Sequence, residues 1–383
     1  MKIFYGKQYI DNKDIKSLIS ACKSEKITQG KYINKFEKEL SKKFKSNYCS
    51  LVTNGTAALY LAIKSLNLKK NSKVICSPIT FFSCAYVIEM NDLVPSFSDI
   101  NYDSYNLDIK KLENNLKKDK SIKAVIAVDY AGQPCDWKKL YSLKKKYGIK
   151  LINDNCHAIG AKIDGDLGYA SKYADIVTHS YHAVKNITTG EGGAILTNNK
   201  KIFKKISLLR NHGIERSDKI RKSKGNWFHE VSSYGFNFRI TDLQAALGIS
   251  QLKKLNKFIK KRKKIADFYY KKLKTYSCIK LPNIKNGYDH VYHIFPVLID
   301  FKKIGISKKQ FFILMQKKNI FLQTHYIPVY KNKFLKKYKF KNENYPNAEK
   351  FYSMQVSLPI FYSLTYFQIN YIVKMIVKVL KLN

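Results

Sequence analysis

The chain has 383 residues, 45% of them hydrophobic, which is enough for a soluble globular protein with one large domain and a smaller one. Seven cysteines scattered from Cys22 to Cys278 without a CxxC pair argue against a disulfide framework or a zinc site, and for reduced, mostly buried thiols. The formal net charge of +43 invites a nucleic-acid or membrane reading, but lysine is spread from Lys2 to Lys381 on the polar sides of amphipathic segments, so these charges read as solvated faces whose field favours a small anionic substrate.

No apolar run approaches the ~18 to 20 residues of a membrane span, and the opening Met1-Lys2-Ile3-Phe4-Tyr5-Gly6 turns polar too early for a signal peptide. The expected location is the cytoplasm. In chain order, residues 11–22 and 33–44 read as polar helices about the turn Thr28-Gln29-Gly30. A strand-then-helix rhythm follows, with strands at 49–53, 73–77, 95–99, 123–128, 150–154, 174–177 and 194–197 and helices at 57–66, 82–90, 109–116 and 137–147. Such alternation predicts an α/β domain with a mainly parallel sheet covered by helices on both faces. Near Thr241 the pattern changes. Thr241 and Gln244 have capping-box spacing, and apolar residues then recur at helical intervals to about residue 273. Residues 1–245 therefore read as the large domain, and 246–383 as a linking helix and a small α+β carboxy-terminal domain.

Three constellations carry chemistry. In Thr53-Asn54-Gly55-Thr56-Ala57-Ala58 a strand end runs through glycine into a helix amino terminus, where free amides and the helix dipole suit a phosphate. Asp154 ends an apolar strand with His157 three residues on, and the carboxyl ends of parallel strands are where ligands gather. Lys185 lies on an irregular connection between two strands, with Ser180 before it and Gly190, Gly192 and Gly193 after it. Those glycines let backbone turn sharply or approach a ligand closely.

In this order the three constellations resemble the DegT/DnrJ/EryC1/StrS family of sugar aminotransferases. The resemblance runs over nearly the whole chain: Thr28-Gln29-Gly30, Asn54-Gly55-Thr56, residues 78–81, 130–134, 154–160, 180–193, 209–213, 235–239 and 243–247. It implies the fold type I of pyridoxal-phosphate-dependent transferases and pyridoxal 5′-phosphate as cofactor. By the same resemblance Lys185 forms the internal aldimine and then moves the proton, and Asp154 pairs with the pyridinium nitrogen. Phe81 stacks on the ring, Thr56, Ala57 and Ser180 hold the phosphate, and His157 lies near the ring hydroxyl. Asn237 would reach the phosphate of a neighbouring subunit, making the active site a property of a homodimer. Thr28, His182, Arg239, His325 and Tyr326 are candidates for the substrate wall, with a structural ion pair an open alternative for Arg239.

Residues 180–185, 323–330, 346–349 and 357–361 are most similar to the subgroup making 4-amino sugars of the pseudaminic acid pathway. The implied substrate is a UDP-linked 4-keto-6-deoxy-N-acetylhexosamine, with L-glutamate as donor and 2-oxoglutarate leaving in a ping-pong cycle. Nucleotide-linked 4-keto sugars of the bacillosamine, legionaminic acid or perosamine type are the alternative. A related sugar dehydratase would carry histidine in place of Lys185. A basic nucleic-acid binder would need its lysines clustered along one groove.

Overall fold

The seven apolar segments pair into one sheet, as their burial on both faces requires: β1 (Tyr48–Val52), β2 (Lys73–Cys76), β3 (Val94–Phe97), β4 (Ile122–Val128), β5 (Lys150–Asp154), β6 (Ile176–Ser180) and β7 (Gly193–Thr197). The computed structural model describes residues 2–215 and 222–382. The strand order is β1-β7-β6-β5-β4-β2-β3. Every pair is parallel except those of β7, which runs antiparallel to both β1 and β6. One face packs on a core that includes Phe36, Leu40, Trp137, Leu140 and Leu255, the other on a core with Leu59, Leu61, Val87, Tyr130 and Phe351. Expected and observed strands agree to within a residue or two, with one consequential shift. The strand expected at 174–177 is Ile176–Ser180 instead, carrying Thr178, His179 and Ser180 into the sheet. Polar residues can sit there because their side chains find partners: Thr178 Oγ1 donates to the Asn153 carbonyl at 3.4 Å, and His179 Nδ1 meets the Tyr181 hydroxyl at 3.1 Å.

The linking helix runs Asp242–Leu273, opened by the Thr241/Gln244 capping box. Its first residue also serves another helix. The buried Asp242 carboxylate accepts from the amides of Gly30 (2.7 Å), Tyr32 (2.9 Å) and Ile33 (3.3 Å), capping the helix Lys31–Lys43, whose own N-cap Gly30 has no side chain to offer. A Cβ on Gly30 would stand 2.9 Å from Asp242 Oδ1, which accounts for the glycine of the Thr28-Gln29-Gly30 turn.

Beyond the helix, Phe295–Ile299 pairs antiparallel with Ile279–Lys280 and Gln355–Leu358. Helices Lys308–Lys317 and Tyr366–Val379 complete a third core that includes Tyr269, Phe295, Phe311, Val356 and Ile372. The amino terminus joins it: Ile3–Phe4 pairs in parallel with Ile320–Phe321, and Ile3 is buried in that core. Buried Arg262 on the linking helix donates from Nη1 to the carbonyls of Tyr292 (3.1 Å), His293 (3.0 Å) and Ile360 (2.8 Å), fixing carboxy-terminal segments to the helix. No helix among the described residues is long and apolar enough to cross a membrane.

Candidate active site

A cavity of about 700 Å³ opens at the carboxyl ends of β5 and β6, where parallel-sheet topology leads strand-end side chains toward a ligand. Asp154, Ser180 and Lys185 line it, together with Thr56, Phe81, His157, His182, His325 and Tyr326, all expected from the sequence.

Asp154 ends β5 and is only 5% exposed. Its carboxylate accepts from the Cys84 thiol (Oδ2, 3.2 Å) and the Cys156 amide (Oδ1, 3.1 Å), and no cation among the described residues lies within ion-pair distance of it. A buried carboxylate held by neutral donors is costly unless a positive group joins it, so this geometry is a receptor for a cation arriving in the cavity. Lys185 is half-buried, open to the same cavity. Loss of hydration pushes its pKa below the ordinary lysine value, against the opposing pull of Cys156, Asp154 and Cys84. A neutral amine is thereby more accessible than on a surface lysine.

The anion cradle forms where Asn54 caps the helix Gly55–Ser65. Asn54 Oδ1 accepts from the Ala57 amide at 2.8 Å, so of the amides expected to hold a phosphate this one already has a partner within the chain. The Gly55 and Thr56 amides have no acceptor among the described residues and face the helix dipole's positive end. Space around the helix start is tight. A Cβ on Gly55 would stand 2.8 Å from Ser180 Cβ, and a Cβ on Gly193 would stand 2.5 Å from the Asn54 carbonyl oxygen. The glycine after Lys185 is thus needed for strand β7 to pass under the cradle.

Phe81 forms an exposed wall with Phe82 (ring centroids 4.1 Å) and meets Tyr326 edge-on at 6.1 Å. His157 is buried. Its Nδ1 accepts from the Ala131 amide at 3.4 Å, its Nε2 lies 3.0 Å from the Tyr326 hydroxyl, and burial beside Lys185 and His325 holds its pKa well below 6.5. His325 Nδ1 pairs with Ser357 Oγ at 2.8 Å, with burial and then Lys185 lowering its pKa to about 3. His182 stands at the exposed mouth, its Nε2 4.0 Å from Glu191 Oε1.

Three expected residues lie apart from Lys185 within one chain. Asn237 is exposed and its backbone bridges to Asn211; Thr28 is exposed and bridges to Thr241. Arg239 lines a separate cavity of about 200 Å³ and donates from Nη1 to Asn211 Oδ1 at 2.6 Å, and it makes no ion pair among the described residues. Other residues had no signal in the sequence. Cys156 is placed by its turn after Asp154, while Cys84 and His293 arrive through tertiary packing: His293 lines the cavity, lies 4.5 Å from the His157 ring at a tilt of 50°, and is tied by its amide to the Ala131 carbonyl at 3.0 Å.

Residues 8–377 match the model of the DegT/DnrJ/EryC1/StrS aminotransferase family. The chain is 36% identical over 359 residues to the UDP-4-amino-4,6-dideoxy-N-acetyl-beta-L-altrosamine transaminase of Campylobacter jejuni, covering 93% of this chain and 91% of that protein. Helicobacter pylori PseC, an aminotransferase involved in the biosynthesis of pseudoaminic acid, superposes with a TM-score of 0.92 at 28% identity, over 100% of both chains. The PLP form of Spr1654 from Streptococcus pneumoniae superposes with a TM-score of 0.89 at 24% identity, over 100% of this chain and 99% of that one. The architecture is accordingly that of the fold type I pyridoxal-phosphate transferases, and the chain belongs to the DegT/DnrJ/EryC1/StrS aminotransferase family.

Proposed function

We propose that the chain is a pyridoxal-phosphate-dependent aminotransferase that moves an amino group from L-glutamate to C4 of a UDP-linked 4-keto-6-deoxy-N-acetylhexosamine of the pseudaminic acid pathway. The observation that carries this reading is the buried Asp154 carboxylate, without a cation partner among the described residues, facing the same cavity as a lysine of depressed pKa. The residues fit the cofactor at three further points. Gly55 packs too closely on Ser180 to carry a side chain, which leaves a cradle lined by Thr56 and Ser180; Phe81 offers an aromatic face, and His157 lines the same cavity.

When bound, the cofactor supplies an electron sink that makes loss of the amino donor's α-proton feasible. Asp154 keeps the ring nitrogen protonated, since a buried carboxylate favours a cation beside it. The cradle amides and Ser180 hold the phosphate and so fix the ring's position. Lys185 would hold the cofactor and would take up and return the migrating proton; desolvation keeps its amine form available for this. The remote uridine diphosphate contributes binding energy that orients C4 toward Lys185.

The working unit is a homodimer in which Asn237 of each chain reaches the partner's phosphate. Supporting this, Asn237 lies outside its own chain's cavity, in a segment that also exposes Tyr234 (98%) and Phe236 (44%). The test is spectroscopic. The protein loaded with pyridoxal phosphate should be yellow, lose its visible band with L-glutamate, and regain it on adding the 4-keto UDP-sugar, whose product stereochemistry identifies the epimer. A protein that takes no colour from added pyridoxal phosphate contradicts the reading.

A further inference from the structure

One short turn, Tyr130–Gly132, holds three separate parts of the cavity wall. The Ala131 amide donates to His157 Nδ1 (3.4 Å), the Ala131 carbonyl accepts from the His293 amide (3.0 Å), and the buried Tyr130 hydroxyl donates to the His325 carbonyl (2.5 Å). The turn is committed to this geometry. Ala131 has φ 59°, in the left-handed region, and a Cβ on Gly132 would stand 2.8 Å from Val291 Cγ2 and 3.2 Å from the His157 carbonyl oxygen.

An amide is only a donor, so His157 Nδ1 must accept, and a neutral imidazole then carries its single proton on Nε2. Burial keeps His157 neutral. Its Nε2–H points at the Tyr326 oxygen 3.0 Å away, which must therefore accept. That leaves the Tyr326 O–H free, and Tyr326 lines the same cavity as Lys185 with no other hydroxyl partner among the described residues. Its backbone cannot drift, because the preceding His325 is held by Tyr130, by Gln355 Oε1 on its amide (2.9 Å) and by Ser357 on its ring.

We propose that the Tyr130–Gly132 turn sets the direction of a hydrogen-bond relay, Ala131 to His157 to Tyr326, so that Tyr326 is a dedicated hydrogen-bond donor to an acceptor oxygen of the bound ligand. The proposal rests on the function given above. The oxygen belongs either to the cofactor ring or to the substrate carbonyl, and the experiment separates the two. Tyr326→Phe should lower kcat/KM for the keto sugar by about tenfold or more, the range for losing one directed hydrogen bond. If the acceptor is on the cofactor, the absorption band of the loaded protein also shifts before any substrate is added. If it is on the substrate, the band stays put and the loss falls on kcat.

The direction of the relay is tested at His157. A glutamine there can accept from Ala131 and still donate to Tyr326, whereas a glutamate offers Tyr326 only an acceptor and turns its proton inward. His157→Gln should rescue most of the turnover that His157→Glu loses, with melting curves confirming that both variants fold. The relay is overturned if Tyr326→Phe changes neither kcat/KM nor the spectrum by more than about twofold, or if His157→Glu matches His157→Gln. Wild-type protein that binds no cofactor would instead overturn the earlier functional reading.

Discussion

Replacing Gly55 by alanine tests the cradle with a single methyl group. The added Cβ would lie 2.8 Å from Ser180 Cβ, 3.3 Å from Ser180 Oγ and 3.5 Å from Cys156 Sγ. Carbon atoms in ordinary contact lie roughly 3.5 to 4.0 Å apart, so Ser180 must retreat by about 0.7 Å or more. The fold should absorb this. Alanine is better than glycine in a helix by about 1 kcal/mol, and overpacking costs about 1–3 kcal/mol, leaving a net destabilisation of about 0–2 kcal/mol. The cofactor should not. A displaced Ser180 and a screened Gly55 amide forfeit one or two hydrogen bonds to a charged phosphate, about 1.5–3 kcal/mol each. Each such bond is about ten- to a hundredfold in dissociation constant. Titrating cofactor-free Gly55→Ala with pyridoxal phosphate, followed by absorbance, should show that loss alongside a melting temperature changed by only a few degrees. Affinity within about threefold of wild type would refute the cradle.

Three other outcomes follow from the packing and the charges. His179 is buried beside Phe44 with its pKa lowered from 6.5 to about 3 by burial, so the folded state binds fewer protons than the unfolded one below pH 6.5 and stability falls as pH drops through that window. His179→Phe should therefore gain about 2 kcal/mol relative to wild type between about pH 7 and pH 5, measured by denaturant melts; a pH-independent difference contradicts it. Arg262→Met strands the carbonyls of Tyr292, His293 and Ile360, and should cost about 2–4 kcal/mol in thermal or denaturant unfolding, the lost charge-assisted bonds being partly offset by relief of a buried cation. Mixing Lys185→Ala with Asn237→Ala chains, each inactive alone, should restore activity through hybrid dimers holding one intact site; no recovery after subunit exchange would mean that Asn237 serves its own chain or none.

Much of this architecture was legible because it is written in local patterns. Short runs with an apolar, β-branched centre such as residues 150–154 and 122–128 read as buried strands, and the Thr241/Gln244 pair marks its helix start wherever the helix goes. The misplaced strand at 174–177 shows the limit of that signal: Thr178, His179 and Ser180 look like a loop until their partners Asn153, Tyr181 and the cradle are in place. Site residues announced by topology, Asp154 and Ser180 at strand ends and Lys185 among glycines, were found where expected in one cavity. Those brought in from far along the chain were not announced. Cys84 reaches Asp154 from 70 residues away, and His293 is placed by a backbone bond to Ala131 rather than by any motif of its own. For Ala57, sequence shows that its amide starts a helix but not that the Asn54 cap takes it.

The central claim is that Lys185 is the residue that holds the cofactor. Loading the protein with pyridoxal phosphate, reducing it with borohydride and mapping the modified peptide by mass spectrometry reads this directly. One labelled lysine, Lys185, is expected, with labelling abolished in Lys185→Ala while that variant still binds the cofactor without a covalent bond. Stoichiometric label on any other of the chain's lysines, persisting in Lys185→Ala, would contradict it.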